Sequence, residues 1–262
     1  MARAKRHYLP GYIWHITHRC HKRDFLLKFA KDRRRWLQWL YQARKRHGLT
    51  ILNYMVTANH IHLLAAGDGD REVIPKSMQL IAGRTGQDYN QRKKRQGAFW
   101  EDRYHATAVE SVYHLLRCLV YIDLNMVRAG IVSHPSKWPF CGYNEIQKPR
   151  KRNVLINNDK LMELFSTSSY EQARRSHKEW VDEYLDKGNG REDKWTKSIA
   201  VGSKEFVEDV KTQLGGLAKG RKARGTGESY QLREPSASYE SDLGVENGVI
   251  GVGNSYFWDI NH

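Results

Sequence analysis

Hydrophobic and polar positions follow different periods in successive stretches of the chain. In "GYIWHITHRC", residues 11–20, β-branched and aromatic residues follow a Pro-Gly pair, which predicts a strand after a turn. From Lys31 to His47 the period lengthens. Trp36, Leu37, Leu40 and Tyr41 recur at helical spacing, and Gly48 ends the run. "LTILNYMVT" (49–57) and "HIHLLAAG" (60–67) are again strand-like, and Ala58 and Asn59 between them predict a tight hairpin. Residues 72–96 read as a long helix with a basic outer face and 98–109 as extended. Residues 111–130 read as an apolar helix closed by Gly130. Strand, helix, strand, strand, helix, strand, helix is the order of an α+β fold: a ferredoxin-like antiparallel sheet with helices on one face.

Beyond Trp138-Pro139 and the basic run "KPRKR" (148–152) the character changes. Residues 156–186 and 203–218 read as amphipathic helices, the second capped by Ser203. From about Gly220 the sequence is linker-like, and its end is rich in Gly, Ser and Asn. The expected organisation is an α+β domain at 1–148, a mainly helical accessory region at 149–220 and a flexible tail at 221–262. There is no internal repeat. No apolar run approaches the roughly 18 residues of a membrane helix, so no membrane role is expected. The start, "MARAKRHYLPGYIWH", lacks the apolar segment of a secretory signal. Cys20, Cys118 and Cys141 are odd in number and far apart, which indicates neither a disulfide framework nor a thiolate zinc site, and suits a reducing cytoplasm.

Charge changes the picture most. The formal net charge is +15, and it is lopsided. Residues 1–150 hold 27 Lys and Arg against 11 Asp and Glu, a balance of +16, whereas residues 151–262 hold 17 against 18, a balance of −1. A field of that size favours polyanions over a generic partner. Aromatics lie among the basic clusters, including Trp36, Trp39, Tyr89, Phe99 and Trp100. Charge can meet phosphate there and rings can stack on bases.

His60 and His62 lie on one face of the third strand, because side chains alternate. They are either two polar residues on a wet face or part of a metal site. The Asp-His pair that follows such histidines in one class of zinc hydrolases is missing. On the last apolar helix, Tyr121 and Asn125 share a face, and the stripe extends to His114, Arg117 and Arg128. This stripe is either a solvated face or a site. Two imidazoles and one amide could hold an octahedral ion such as Mg²⁺ or Mn²⁺ with positions left for phosphate oxygens. A tyrosine hydroxyl beside it could attack.

At "GYIWHITHRC", "NYMVTANHIHLL", "MQLIAGRTGQDYNQRKKRQGAFWEDRYHA" and "LVYIDLNMVRAGIV", the chain closely resembles the HUH single-tyrosine transposases, especially REP-associated tyrosine transposases and related small insertion-sequence enzymes. The resemblance covers roughly residues 8–146. It implies a ferredoxin-like HUH nuclease domain, metal-dependent cleavage and rejoining of single-stranded DNA through a 5′-phosphotyrosine, and recognition of hairpin or REP-like DNA. It places the motif histidines on His60 and His62, the nucleophile on Tyr121 and the third ligand on Asn125. A cytoplasmic, nucleoid-associated bacterial protein follows, with room for a homodimer. The chain has Thr57-Ala58 where the family often has Met-Pro, which is expected to loosen the hairpin turn, and Met126 where the family often has Pro.

DNA contacts are expected from Arg92, Lys93, Lys94, Arg95, Trp100, Arg103, Arg117 and Arg128, although structural ion pairs compete for Arg103 and Arg128. His15, His18 and His21, spaced by three in a strand, alternate faces and do not suggest one metal site; His15 reads as a packed strand residue, with a supporting role near the hairpin sheet as the alternative. Tyr104, Tyr113 and Tyr143 are rival nucleophiles, and Tyr113 lacks an amide four residues on. Two other functions stand beside the transferase: a domesticated, non-catalytic hairpin-binding protein, and a phosphodiesterase that uses water.

Overall fold

A computed structural model describes residues 8–67, 69–110, 112–188, 190–227 and 229–233. The first half alternates β1 (Ile13–Arg19), α1 (Ala30–His47), β2 (Thr50–Val56), β3 (His60–Ala66), α2 (Val73–Lys93) and β4 (His105–Val109). The strands pair in the order β2-β3-β1-β4, all antiparallel. This is the expected ferredoxin-like arrangement, with β1 central because each helical crossover skips a strand. Trp36, Leu40 and Ala43 project from one side of α1 and are fully buried, as are Ile16, Ile61 and Leu63 of the sheet. Each large side chain buried this way contributes roughly 1.5–3 kcal/mol. Gly48 stops α1 in the left-handed region at φ 70°, where its N–H closes on the Arg44 carbonyl.

The hairpin turn is not loosened by the absent proline. The Thr57 hydroxyl accepts from the N–H groups of Asn59 (3.3 Å) and His60 (3.0 Å) and donates to the His60 carbonyl (2.8 Å). One side chain thus satisfies the backbone of a turn that a proline would merely stiffen.

The apolar helix expected over 111–130 is two pieces, α3 (Tyr113–Asp123) and α4 (Asn125–Arg128), interrupted at Leu124. Then come α5 (Gly142–Gln147), α6 (Asn158–Leu164), α7 (Tyr170–Lys187), α8 (Lys194–Lys197), β5 (Ser198–Gly202), α9 (Lys204–Leu214), β6 (Lys222–Thr226) and β7 (Ser229–Arg233). The expected helix over 156–186 is therefore split into α6 and α7, and the extended segment over 98–109 is a strand only from His105. Ser203 caps α9 as expected, accepting from the Phe206 N–H; its hydroxyl and N–H also donate to the Glu110 carboxylate at 2.8 and 2.7 Å.

Helices cover both faces of the sheet, not one. Asn53 and Asp123 bond at 3.0 Å, which docks α3 on the face that carries His62. On the opposite face His18 stacks on Trp100, whose indole donates to the Ala82 carbonyl of α2. α7 packs behind α3. Its His177 bonds Asp123 at 2.7 Å, and both side chains are fully buried.

The linker-like expectation beyond Gly220 is corrected for residues 222–233. β6 and β7 form an antiparallel hairpin, β7 pairs with β5, and β5 pairs in parallel with β4. Among the described residues, seven strands thus form one sheet in the order β2-β3-β1-β4-β5-β7-β6. The part of the expected tail from residue 234 onward lies outside the described residues.

Candidate active site

His60 and His62 reach the same face of β3, paired across the ladder with Arg19 and Thr17 of β1. Each ring is fixed through Nδ1. His60 Nδ1 lies 2.7 Å from Asn59 Oδ1, and the Asn59 amide nitrogen donates to the Arg23 carbonyl, so its oxygen faces His60. His60 Nδ1 therefore carries the hydrogen and Nε2 keeps its lone pair. His62 Nδ1 lies 2.8 Å from His15 Nε2, and His62 Nε2 lies 3.0 Å from the Asn125 side-chain amide. The two ring centroids are 5.1 Å apart.

Burial pushes His60 down to about 3, aided by the charges of Arg19, Arg191 and Arg128. Burial also drives His62 well below the ordinary histidine range, with His15 and His60 adding to it. Both rings are neutral at pH 7, the form that coordinates a cation. The sites of two neutral imidazole nitrogens and an amide oxygen fit a divalent ion that tolerates nitrogen ligands and open positions. Among the described residues no group of three or more His, Cys, Asp or Glu side chains could hold a metal, and the side chain that meets His62 Nε2 is the Asn125 amide.

Tyr121 stands one helical turn before Asn125. Its ring lies edge-on to His62 at 6.0 Å and is 6.2 Å from the buried Trp195 ring. The Arg128 guanidinium sits 4.1 Å over the Tyr121 ring and donates to the Tyr121 carbonyl at 2.6 Å. No hydrogen bond engages the Tyr121 hydroxyl among the described residues. Burial raises the phenol above its ordinary range, while Arg128 and Arg191 oppose that rise. The structure thus brings together His60, His62, Tyr121, Asn125 and Arg128.

The other expected DNA contacts lie elsewhere. Arg92 pairs with Asp32, and Lys93 lies 5.4 Å over the exposed Phe29 ring. Lys94 ends α2 in the left-handed region. Arg95 bonds Asn90 and the Ala98 carbonyl. Trp100 stacks on His18 at 4.1 Å, on the far face of the sheet. Arg103 is exposed in the loop before β4. Arg117 turns to Tyr113 and to Glu192 of the C-terminal part. Of the rival tyrosines, Tyr113 is engaged by Arg117, and Tyr143 packs against His134 and His177.

Sequence reasoning missed Trp195, Arg19 and Arg191, and preferred a packed strand residue for His15. His15 carried a signal, since it shares the His62 face of β1. Trp195 meets His15 through its backbone carbonyl, at 2.9 Å, which no side-chain pattern reports.

Residues 9–125 match the family described as "Transposase IS200 like". Among solved structures, the chain is similar to the REP-associated tyrosine transposase bound to a REP hairpin, at 18% identity over 60% of this chain and 92% of that one, with a TM-score of 0.47. It is also similar to a protein assigned as a transposase from Deinococcus radiodurans R1, at 18% identity over 49% and 92%, with a TM-score of 0.31. No curated protein matches the chain. No helix among the described residues is long and apolar enough to cross a membrane. With its βαββαβ order and the residues of its HUH pattern, the segment 9–125 belongs to the IS200-like transposase family.

Proposed function

We infer that the protein is a DNA strand transferase that cleaves and rejoins single-stranded DNA at hairpin-flanked, REP-like sites, with Tyr121 as nucleophile and Mg²⁺ or Mn²⁺ held by His60, His62 and Asn125. One observation carries this reading: the Tyr121 ring and the His62–Asn125 pair meet on one side of the sheet, within 6.0 Å and 3.0 Å of His62 respectively. A solvated polar face would scatter these groups, and among the described residues no other tyrosine ring is found against His62.

The chain's own residues divide the work. The neutral rings of His60 and His62 keep Nε2 lone pairs available for coordination. A divalent ion there would supply the Lewis acid that polarises the scissile phosphate. Arg128 fixes Tyr121 by its backbone and its ring, and its charge favours the phenolate that must form. As the Tyr121 oxygen bonds to phosphorus, the 3′ oxygen leaves and takes up a proton. The tyrosine ester conserves the phosphodiester energy, so a second 3′-hydroxyl can reverse the step without ATP. The +16 balance of residues 1–150 supplies attraction for the DNA backbone.

A denaturing gel of labelled single-stranded hairpin DNA with protein and Mn²⁺ tests the reading. A covalent adduct is expected from the wild type and none from Tyr121→Phe, with hairpin binding kept. An adduct that persists in that variant removes Tyr121 as nucleophile. Cleavage unchanged in EDTA removes the metal. Cleaved DNA without an adduct indicates a water-using phosphodiesterase, and salt-sensitive binding alone indicates a non-catalytic binder.

A further inference from the structure

The rings of His60 and His62 are fixed by different means. His60 is set by its own turn, through Asn59. His62 is set from 133 residues further along the chain. The Trp195 carbonyl lies 2.9 Å from His15 Nδ1, and His15 Nε2 lies 2.8 Å from His62 Nδ1. The two imidazole planes are 10° apart with centroids 5.1 Å apart, the arrangement of two coplanar rings joined edge to edge rather than stacked face to face.

The hydrogens in this row are dictated by chemistry. A carbonyl can only accept, so His15 Nδ1 carries a hydrogen. His15 is fully buried and no carboxylate touches it among the described residues, so it is neutral and its Nε2 has only a lone pair. His62 Nδ1 must then donate to it, which leaves the His62 Nε2 lone pair facing Asn125. Asn125 agrees with this order, because its amide nitrogen is the group placed 3.0 Å from that lone pair.

The carbonyl is itself held in place. Trp195 is fully buried, and the Thr107 hydroxyl of β4, which donates to the Ser198 carbonyl at 2.6 Å, lies 3.3 Å from the Trp195 carbonyl and ties the segment to β4. On either side, Glu192 pairs with Arg117 of α3 at 3.5 Å and β5 joins β4. Glu192, Trp195 and β5 lie outside the stretch that matches the transposase family, and their partners Thr107, Arg117 and β4 lie inside it.

We propose that the Trp195 carbonyl, acting through His15, holds His62 in the Nδ1–H tautomer and so presents its Nε2 lone pair to the metal. His15 and Trp195 are positioning residues, and the C-terminal part of the chain is a structural component of the metal site. This rests on the reading of His60, His62 and Asn125 as the donors. In metal sites the partner on the far nitrogen of a ligating histidine sets its tautomer, and its loss typically weakens metal binding about 10- to 100-fold.

The decisive measurement is a long-range ¹H–¹⁵N correlation spectrum of the metal-free full-length protein at neutral pH, which reads the tautomer of each histidine. His62 is expected with its hydrogen on Nδ1. A hydrogen on Nε2 overturns the proposal, whatever the DNA gel shows. Mn²⁺ titration by calorimetry supplies the second arm. His15→Phe keeps the ring and removes the acceptor, and should weaken Mn²⁺ by about 10-fold or more. His15→Gln, whose amide can both accept from His62 and donate onward, should recover most of that loss. A folded His15→Phe variant with wild-type Mn²⁺ affinity refutes the relay. If the wild type binds no Mn²⁺, the donor assignment fails, while the spectrum still decides the tautomer.

Discussion

Acid should unfold this protein in a way that counts the protons on its buried histidines. His15 and His62 are 0% and 2% exposed, and burial holds His15 down at about 3 and His62 well below its ordinary 6.5. In the unfolded chain both imidazoles take up protons near 6.5. Between those values the unfolded state holds more protons, so falling pH favours unfolding. The stability these two rings contribute is present in full above about pH 6.5 and is lost as the pH falls towards about 3. Each proton adds a slope of about 1.4 kcal/mol per pH unit, and the pair approaches about 2.7 kcal/mol per pH unit. His15→Gln cannot titrate, so it removes one proton from the difference. The assay is urea unfolding in EDTA at about pH 7, 6 and 5. Between the last two points the wild type should lose about 1 kcal/mol more than the variant. Equal losses would mean that His15 titrates alike in the folded and unfolded chains, and the buried neutral ring would have to be abandoned.

Three further outcomes follow from particular contacts. Arg128→Ala removes the cation over the Tyr121 ring and the bond to its carbonyl, and should slow adduct formation by about 100-fold in a single-turnover assay. His177→Ala strips a partner from the buried Asp123 carboxylate and should cost about 3–5 kcal/mol in urea unfolding. Ser203→Ala loses the cap of α9 and should cost about 1 kcal/mol by the same assay.

The half that matches the transposase family was legible because its signals are local and periodic. Strand alternation put His60 and His62 on one face, and four-residue spacing put Tyr121 with Asn125. Gly48 and Ser203 marked helix ends by chemistry that tertiary contacts did not override. The break at Leu124 left no mark, since "YIDLNMVR" lacks Pro and Gly and keeps a helical pattern across it. The hairpin over 222–233 was illegible for a different reason. "KARGT" has one small apolar residue and no run to alternate, so its strand exists only because β7 pairs with it. The role of Trp195 was beyond reach of any residue pattern, because every amino acid carries the carbonyl that it uses.

The parallel pairing of Ala108 and Val109 with Ala200 and Val201 has a consequence for where this protein can be cut. A fragment ending at residue 125, where the family match stops, would turn β4 into an open sheet edge and offer its hydrogen-bonding groups to any strand nearby. It would also uncover the fully buried Ala108. Such a fragment would keep every residue of the HUH pattern and still invite self-association. The unit in which the β4 edge is covered by paired strands runs through β7.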